Sequence, residues 1–434
     1  MDKKPIDNSD NSDDEPTVNP PKKRKVSSTK IQAFVAFRYP VFRLYYGALL
    51  ATRAGFNMQM VARSYLIYQL TNSYTLLGLV NLAHTLPLLF TALLGGAIAD
   101  RVQKKNTLLI GTLIVALIFL GIALSLTTGY LSSENKGSWW VLMAAAALEG
   151  TLAGIMMPSR HTIVPEIVGE QHLMNGVALN NMATNLLRLF APAVAGFIID
   201  AYDYHVVYYS MAALNTIAVI LTAFMPYTGK IVNSSTKMLA NIKEGLQYIW
   251  RKKTILFVLI FFLTAMTLST PIQSLMPVFA EDILKVGASG MGILMSVSGV
   301  GSIVGSLVLA SLPSKKRGLL MLLGSLGLGM SLIGFAFSSS WPLSLSLIFI
   351  FGVGQAIRMT LSNTLVQHYT DDKYRGRVMS IYTMELGIMS LGAFMAALLS
   401  EVIGVQWAVG SFAIALIFIA SLVMVFVPQL RRLD

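Results

Sequence analysis

Apolar stretches of about twenty residues recur along this chain, each closed by a short polar break. They predict twelve helices, at 44–70, 74–99, 107–126, 139–157, 177–199, 206–225, 255–279, 291–312, 319–337, 343–366, 378–399 and 408–427. A helix of ~20 apolar residues crosses the hydrocarbon core of a bilayer. Short apolar runs can be core helices of a soluble protein; twelve long ones at this spacing cannot. The pattern therefore predicts an all-α integral membrane protein whose twelve transmembrane helices form two six-helix bundles. The divide is a polar stretch at 227–253. The expected organisation is a tail at 1–37, bundles at 38–228 and 254–428, a linker at 229–253 and a short tail at 429–434. In the linker, Leu239, Ile242, Leu246 and Ile249 recur at three- and four-residue steps, while Asn241, Lys243, Glu244 and Gln247 take the other face. That spacing predicts an amphipathic helix on the inner membrane surface.

Charge adds sidedness. Only 12% of residues are charged, against about 25% in an ordinary soluble domain. With the N-terminus inside, 27 of the 33 Lys and Arg fall on the cytoplasmic side, two outside (Lys136 and Lys285) and four within spans. Lys and Arg stay on the cytoplasmic side, so both termini are expected there. The net charge of +12 thus reads as membrane sidedness and not as a nucleic-acid surface. The first thirty residues hold no apolar core, which predicts no cleavable signal peptide. Their Asp, Asn, Ser and Pro predict a disordered tail. Pro21-Lys22-Lys23-Arg24-Lys25-Val26 is close to a basic nuclear-import signal, but before a membrane helix it reads as a polybasic contact with anionic lipid. The absence of cysteine excludes disulfides and thiolate metal sites. Gly154 and Gly176 are matched 200 positions on by Gly354 and Gly376. Two such parallel halves would place a substrate site between them, near the bilayer midplane.

Candidate chemistry lies inside the spans, where a charge is costly and faces a cavity or a partner. Arg53, Arg63, Arg188 and Arg358 stand against Glu149 and Glu385. Four positives against two negatives suggest a cavity that attracts an anion; internal pairing, or snorkelling of Arg53 and Arg63, is the alternative. Asn181, Asn185 and Arg188 share one helical face. With Asn180 and Gln355 they line the cavity or bond another helix. Glu149, Glu385 and His84 are proton-coupling candidates, since such groups can load and release a proton as water access changes. Gly301-x-x-x-Gly305 reads as close helix packing. The chain has no phosphate-loop, nucleophile-elbow or zinc-binding signature, so no enzyme and no cofactor is expected.

After the second span the chain reads Gly95-Gly96-Ala97-Ile98-Ala99-Asp100-Arg101-Val102-Gln103-Lys104-Lys105. This resembles the loop motif of the major facilitator superfamily, G-x-x-x-D-R-x-G-R-R/K, with Gln103 where the family has Gly. Pro158-Ser159-Arg160, Val164-Pro165-Glu166, Leu173-Met174-Asn175 and Ala178-Leu179-Asn180 resemble the branch holding enterobactin exporters and macrolide efflux proteins. So do Tyr65 to Thr71 and Tyr374-Arg375-Gly376-Arg377-Val378-Met379-Ser380. Ala191-Pro192-Ala193-Val194-Ala195-Gly196 is similar to the antiporter element G-P-x-x-G-G, with Ala at two of its glycines. The resemblance implies the major facilitator fold and a conformational latch built from Gly96, Asp100, Arg101, Lys104, Lys105, Arg160 and Arg377. It implies a secondary transporter in the plasma membrane, the inner membrane of a bacterium. The leading reading is proton-driven export of a siderophore-like anion or drug. Import of a similar solute, a lipid flippase and a non-transporting sensor or scaffold remain open. The expected partners are a small-molecule substrate, the proton gradient and membrane lipid, with no nucleic acid; oligomeric state stays open.

Overall fold

The computed structural model describes residues 34–226, 238–313 and 315–434, with backbone alone at 93–101, 161 and 238–243. Most of the N-terminal tail and the first part of the linker therefore lie outside the described residues. After a short 3-10 turn at Val35–Arg38, fifteen α-helices follow among the described residues. The first half holds α1 (Pro40–Thr71), α2 (Tyr74–Arg101), α3 (Lys104–Thr127), α4 (Trp140–Tyr202) and α5 (Tyr204–Ala223). The linker is α6 (Met238–Arg251). The second half holds α7 (Lys253–Ser269), α8 (Pro271–Val278), α9 (Gly287–Ser311), α10 (Arg317–Ala336) and α11 (Trp341–Tyr369). It ends with α12 (Asp372–Tyr382), α13 (Glu385–Ile403), α14 (Val405–Phe426) and α15 (Pro428–Arg431).

Helix boundaries follow local chemistry. The α4 run of 63 residues is two helices in series, because Gly169 sits inside it at φ 70 and ψ 166. The two parts hold the spans expected at 139–157 and 177–199. The span expected at 255–279 is broken between α7 and α8, where Pro271 opens a new helix and removes a backbone donor. A π turn at Phe279–Ile283 follows. The span expected at 378–399 is likewise split at Thr383 and Met384. Among the described residues ten helical stretches are long and apolar enough to cross a membrane. Helix α1 is outside that set because Arg53, Asn57, Gln59, Arg63 and Ser64 interrupt its apolar surface.

Within the first half α2 packs on α4, α1 on α4 and α5, and α3 on α5; within the second, α9 and α10 pack on α11, and α10 on α14. Small residues set the closest approaches. A Cβ on Gly150 would lie 1.9 Å from the His84 carbonyl oxygen, and one on Gly301 2.2 Å from that of Phe349. No larger side chain fits either place, so α2–α4 and α9–α11 are matching contacts in the two halves. The halves meet along α4–α9 and α2–α13.

Helix α6 lies against α12. Glu244 pairs with Arg377 at 2.6 Å, and Tyr248 stacks on Tyr374 with ring centroids 4.3 Å apart. The Tyr248 hydroxyl accepts from the Asp371 backbone N–H at 3.0 Å. Ile249 is buried in this contact, while Leu246 and Trp250, four positions apart, stay exposed on the other side. The linker thus rests on protein along one face and keeps an apolar strip along another.

Candidate functional site

The two halves enclose a cleft shut at one end. Two carboxylates close it in the same way. Asp200, near the end of α4, accepts from the backbone N–H groups of Ala288 and Ser289 at 3.1 and 2.9 Å. These open α9, and a helix N-terminus carries positive partial charge that favours an anion. Gly287 precedes them at φ +67, and a Cβ there would sit 3.1 Å from Asp200 Oδ2. Glu401, 201 positions further on, accepts from the Thr75 N–H and the Ser73 hydroxyl at 3.1 Å each, at the start of α2. Between the two, the Tyr65 hydroxyl donates to Glu281 and the Tyr68 hydroxyl to Asp282. Further in, Asn81 donates to Ser274 at 3.2 Å, Ser390 to Thr85 at 2.7 Å and Ser296 to the Leu189 carbonyl at 2.5 Å. Every hydrogen bond described between the halves lies within about 20 Å of this end, at 1.5 Å per helical residue.

Beneath this roof lies a cavity of about 600 Å³. It runs from Asn81, Gln273 and Ser274 to Pro165, Leu173 and Val177 toward the opposite end. Apolar side chains such as Phe56, Met60, Phe119 and Met389 form much of its wall. Its charged groups fall into two sets. Near the roof Glu149 accepts from Gln59 at 3.0 Å and pairs with Arg63 at 3.3 Å. Toward the open end Arg53 and Arg160 share the lining with Tyr45 and Asn180, whose amide donates to the Tyr45 hydroxyl at 3.2 Å.

The residues singled out from sequence are distributed unevenly. Arg53, Asn181, Glu149 and His84 line the main cavity. Arg63 is committed to Glu149. Asn185, Arg188 and Gln355 line a separate pocket of about 290 Å³ between α4, α9 and α11. Arg358 is fully buried, donating at 3.2 Å to the Met266 sulfur, with Nε and Nη1 making no hydrogen bond among the described residues. Glu385 is buried too, and among the described residues its Oε2 has no hydrogen-bond partner.

Of the expected latch residues, the side chains of four are described. Lys104 pairs with Glu166 within the first half. Lys105 donates to the carbonyls of Ala223 and Met225. Arg377 engages Glu244, and Arg160 faces the cavity. The surroundings of Gly96 and the side chains of Asp100 and Arg101 lie outside what the structure describes. Sequence reading missed the roof entirely. Asp200, Glu281, Asp282 and Glu401 sit at helix ends, where a carboxylate looks like an ordinary solvated residue. The visible signal is the 201-residue spacing of Asp200 and Glu401, each shortly before a helix break.

The family model of the Major Facilitator Superfamily matches residues 45–390 and 315–433, and the chain belongs to that superfamily. It is 25% identical over 359 residues to the staphyloferrin A transporter of Staphylococcus aureus, covering 82% of this chain and 88% of that one. It is 26% identical to the multidrug efflux pump Tap of Mycolicibacterium fortuitum, covering 92% and 98%. The enterobactin exporter EntS of Shigella boydii is 24% identical, covering 91% and 93%. The crystal structure of a nucleoside transporter NupG mutant superposes with a TM-score of 0.72 at 15% identity, covering 88% of this chain and 99% of that one. The chain is a multi-pass transporter of the plasma membrane, in the branch holding EntS and related efflux proteins, and not an enzyme.

Proposed function

We propose that this protein exports a small organic molecule by alternating access, driven by the proton gradient. The observation that carries the reading is the cleft, bonded shut between the halves at one end and lined by a cavity toward the other. Counting α1 and the two parts of α4 with the other apolar helices brings the spans to twelve, in bundles at 38–228 and 254–428. Lys and Arg sidedness supports both termini lying inside. Asp200 and Glu401 fall outside, and the cavity opens inward. Cargo loads from the cytoplasm and leaves when the outer contacts part. Siderophore or drug transport by the relatives supports a siderophore-like anion or a drug as cargo class.

Proton coupling is assigned first to Glu149, because it faces the cavity and holds Arg63. Release of Arg63 on protonation would loosen α1 from α4. Glu385 and His84 are the further candidates. At the inner ends, Asp100 with Gly96, Arg101, Lys104, Lys105, Arg160 and Arg377 would latch the halves when the protein turns outward.

The test is flux by the purified full chain in liposomes, with cargo identified by comparing molecules released from cells with and without the gene. An imposed proton gradient should drive the cargo against its concentration. Glu149→Gln should keep cargo binding and lose the dependence of flux on that gradient. Gradient-driven flux undiminished in Glu149→Gln removes the coupling assignment, and absence of flux for every compound that accumulates in the deletion strain removes the transporter reading.

A further inference from the structure

Among the described residues the two arginines at the inward part of the cavity have no counter-ion. Arg53 (on α1) and Arg160 (on α4) line the same cavity, close enough to each other and to the Tyr45 hydroxyl to interact electrostatically. Among the described residues neither guanidinium makes a hydrogen bond or an ion pair, and Arg53 Nε is buried without a partner. The neighbouring amide is incomplete as well. Asn180 donates to Tyr45 while its Oδ1 is buried without a donor. The carboxylate of the cavity does not answer these charges. Glu149 stands eleven positions before Arg160 on α4, about 16 Å along a helix axis, and is held by Arg63 and Gln59.

Two like charges on one wall in a low-dielectric site repel, and a buried donor without an acceptor is costly. An anion between them resolves both. A guanidinium presents a planar fork of donors matched to carboxylate or phosphate oxygens. The open Asn180 oxygen would accept from a hydroxyl or N–H on the same molecule.

From this geometry we infer that Arg53 and Arg160 form the anion-binding pole of the cavity, taking a cargo that carries a carboxylate or phosphate beside a hydrogen-bond donor. The inference rests on the transporter reading above and narrows its cargo class. It moves Arg160 from the latch to the cargo. It also gives Arg53 a role distinct from that of Arg63, ten positions along the same helix, whose charge is already neutralised.

Two dyes of related skeleton and opposite charge separate the outcomes: carboxyfluorescein, a polyanion, and rhodamine 6G, a cation. Binding of each to the purified full-length protein is read by fluorescence polarisation. Wild type should hold carboxyfluorescein the more tightly. Arg53→Gln and Arg160→Gln should each weaken it by about tenfold or more, the value of one charged hydrogen bond. Binding of rhodamine 6G should be unchanged or tighter, which also reports that the variants are folded. Arg53→Lys should recover part of the loss. Carboxyfluorescein that does not bind wild type, or that binds both Gln variants as well as wild type, overturns the inference. The transporter reading fails separately. Liposome flux of rhodamine 6G, together with carboxyfluorescein binding that both Gln variants keep, would keep it while the anion pole falls. Loss of carboxyfluorescein binding in protein that moves no compound would do the reverse.

Discussion

Arg63 and Glu149 are buried, and each is the other's counter-charge. Removing one member of such a pair leaves an uncompensated charge and costs roughly 3–5 kcal/mol. Arg63→Met should therefore destabilise the purified protein by about that amount in a denaturation titration, and Arg63→Met/Glu149→Met should recover most of the loss. A double variant as unstable as the single one contradicts the pairing. Arg358 is the opposite case. Among the described residues its one hydrogen-bond acceptor is a buried thioether, an arrangement costly in this conformation. Arg358→Met should raise the melting temperature by a few degrees; a lowered melting temperature contradicts this account. Sequence reading counted these charges correctly because a charge in an apolar run is visible locally. It could not pair them. Arg63 and Glu149 are 86 positions apart, and only the packing of α1 on α4 decides that Arg63 is neutralised while Arg53 is not.

Among the helices, existence was more legible than continuity. Apolar length placed the spans because every backbone group in lipid must be satisfied within its own helix. Breaks depend on single residues, such as Pro271 between α7 and α8, or Gly169 within α4. The linker helix was legible from its spacing, but its partner was not, since Tyr248 and Glu244 meet α12 more than a hundred positions on. The closure, proposed above to face outward, is likewise a property of helix ends. Two carboxylates capping the starts of α9 and α2 act as paired clasps, each combining charge with backbone donors. The chain has no cysteine, so one introduced thiol reports alone. Ser274→Cys, under the roof, should react slowly with an impermeant maleimide added outside. Adding Asp200→Asn and Glu401→Gln should speed the reaction at least about tenfold, the value of a weakened charged hydrogen bond. An unchanged rate would mean that the clasps do not hold the outer end.

At the scale of the molecule, two halves with matching glycine contacts are hydrogen-bonded together, among the described residues, only toward one end, and the cavity lies beneath those bonds. Alternating access requires that this asymmetry reverse. A protein with two such conformations shifts toward whichever state its ligand binds better. The direct measurement is a pair of distances by double electron–electron resonance in liposomes. Spin labels at Tyr202 and Val402 report the outer end, and labels at Met174 and Lys373 report the inner. All four residues are exposed and the members of each pair sit on different halves. As cargo and proton gradient are varied, the account predicts that the outer distance lengthens while the inner one shortens, in opposite senses under every condition. Two distances that stay fixed during flux, or that lengthen together, would contradict it.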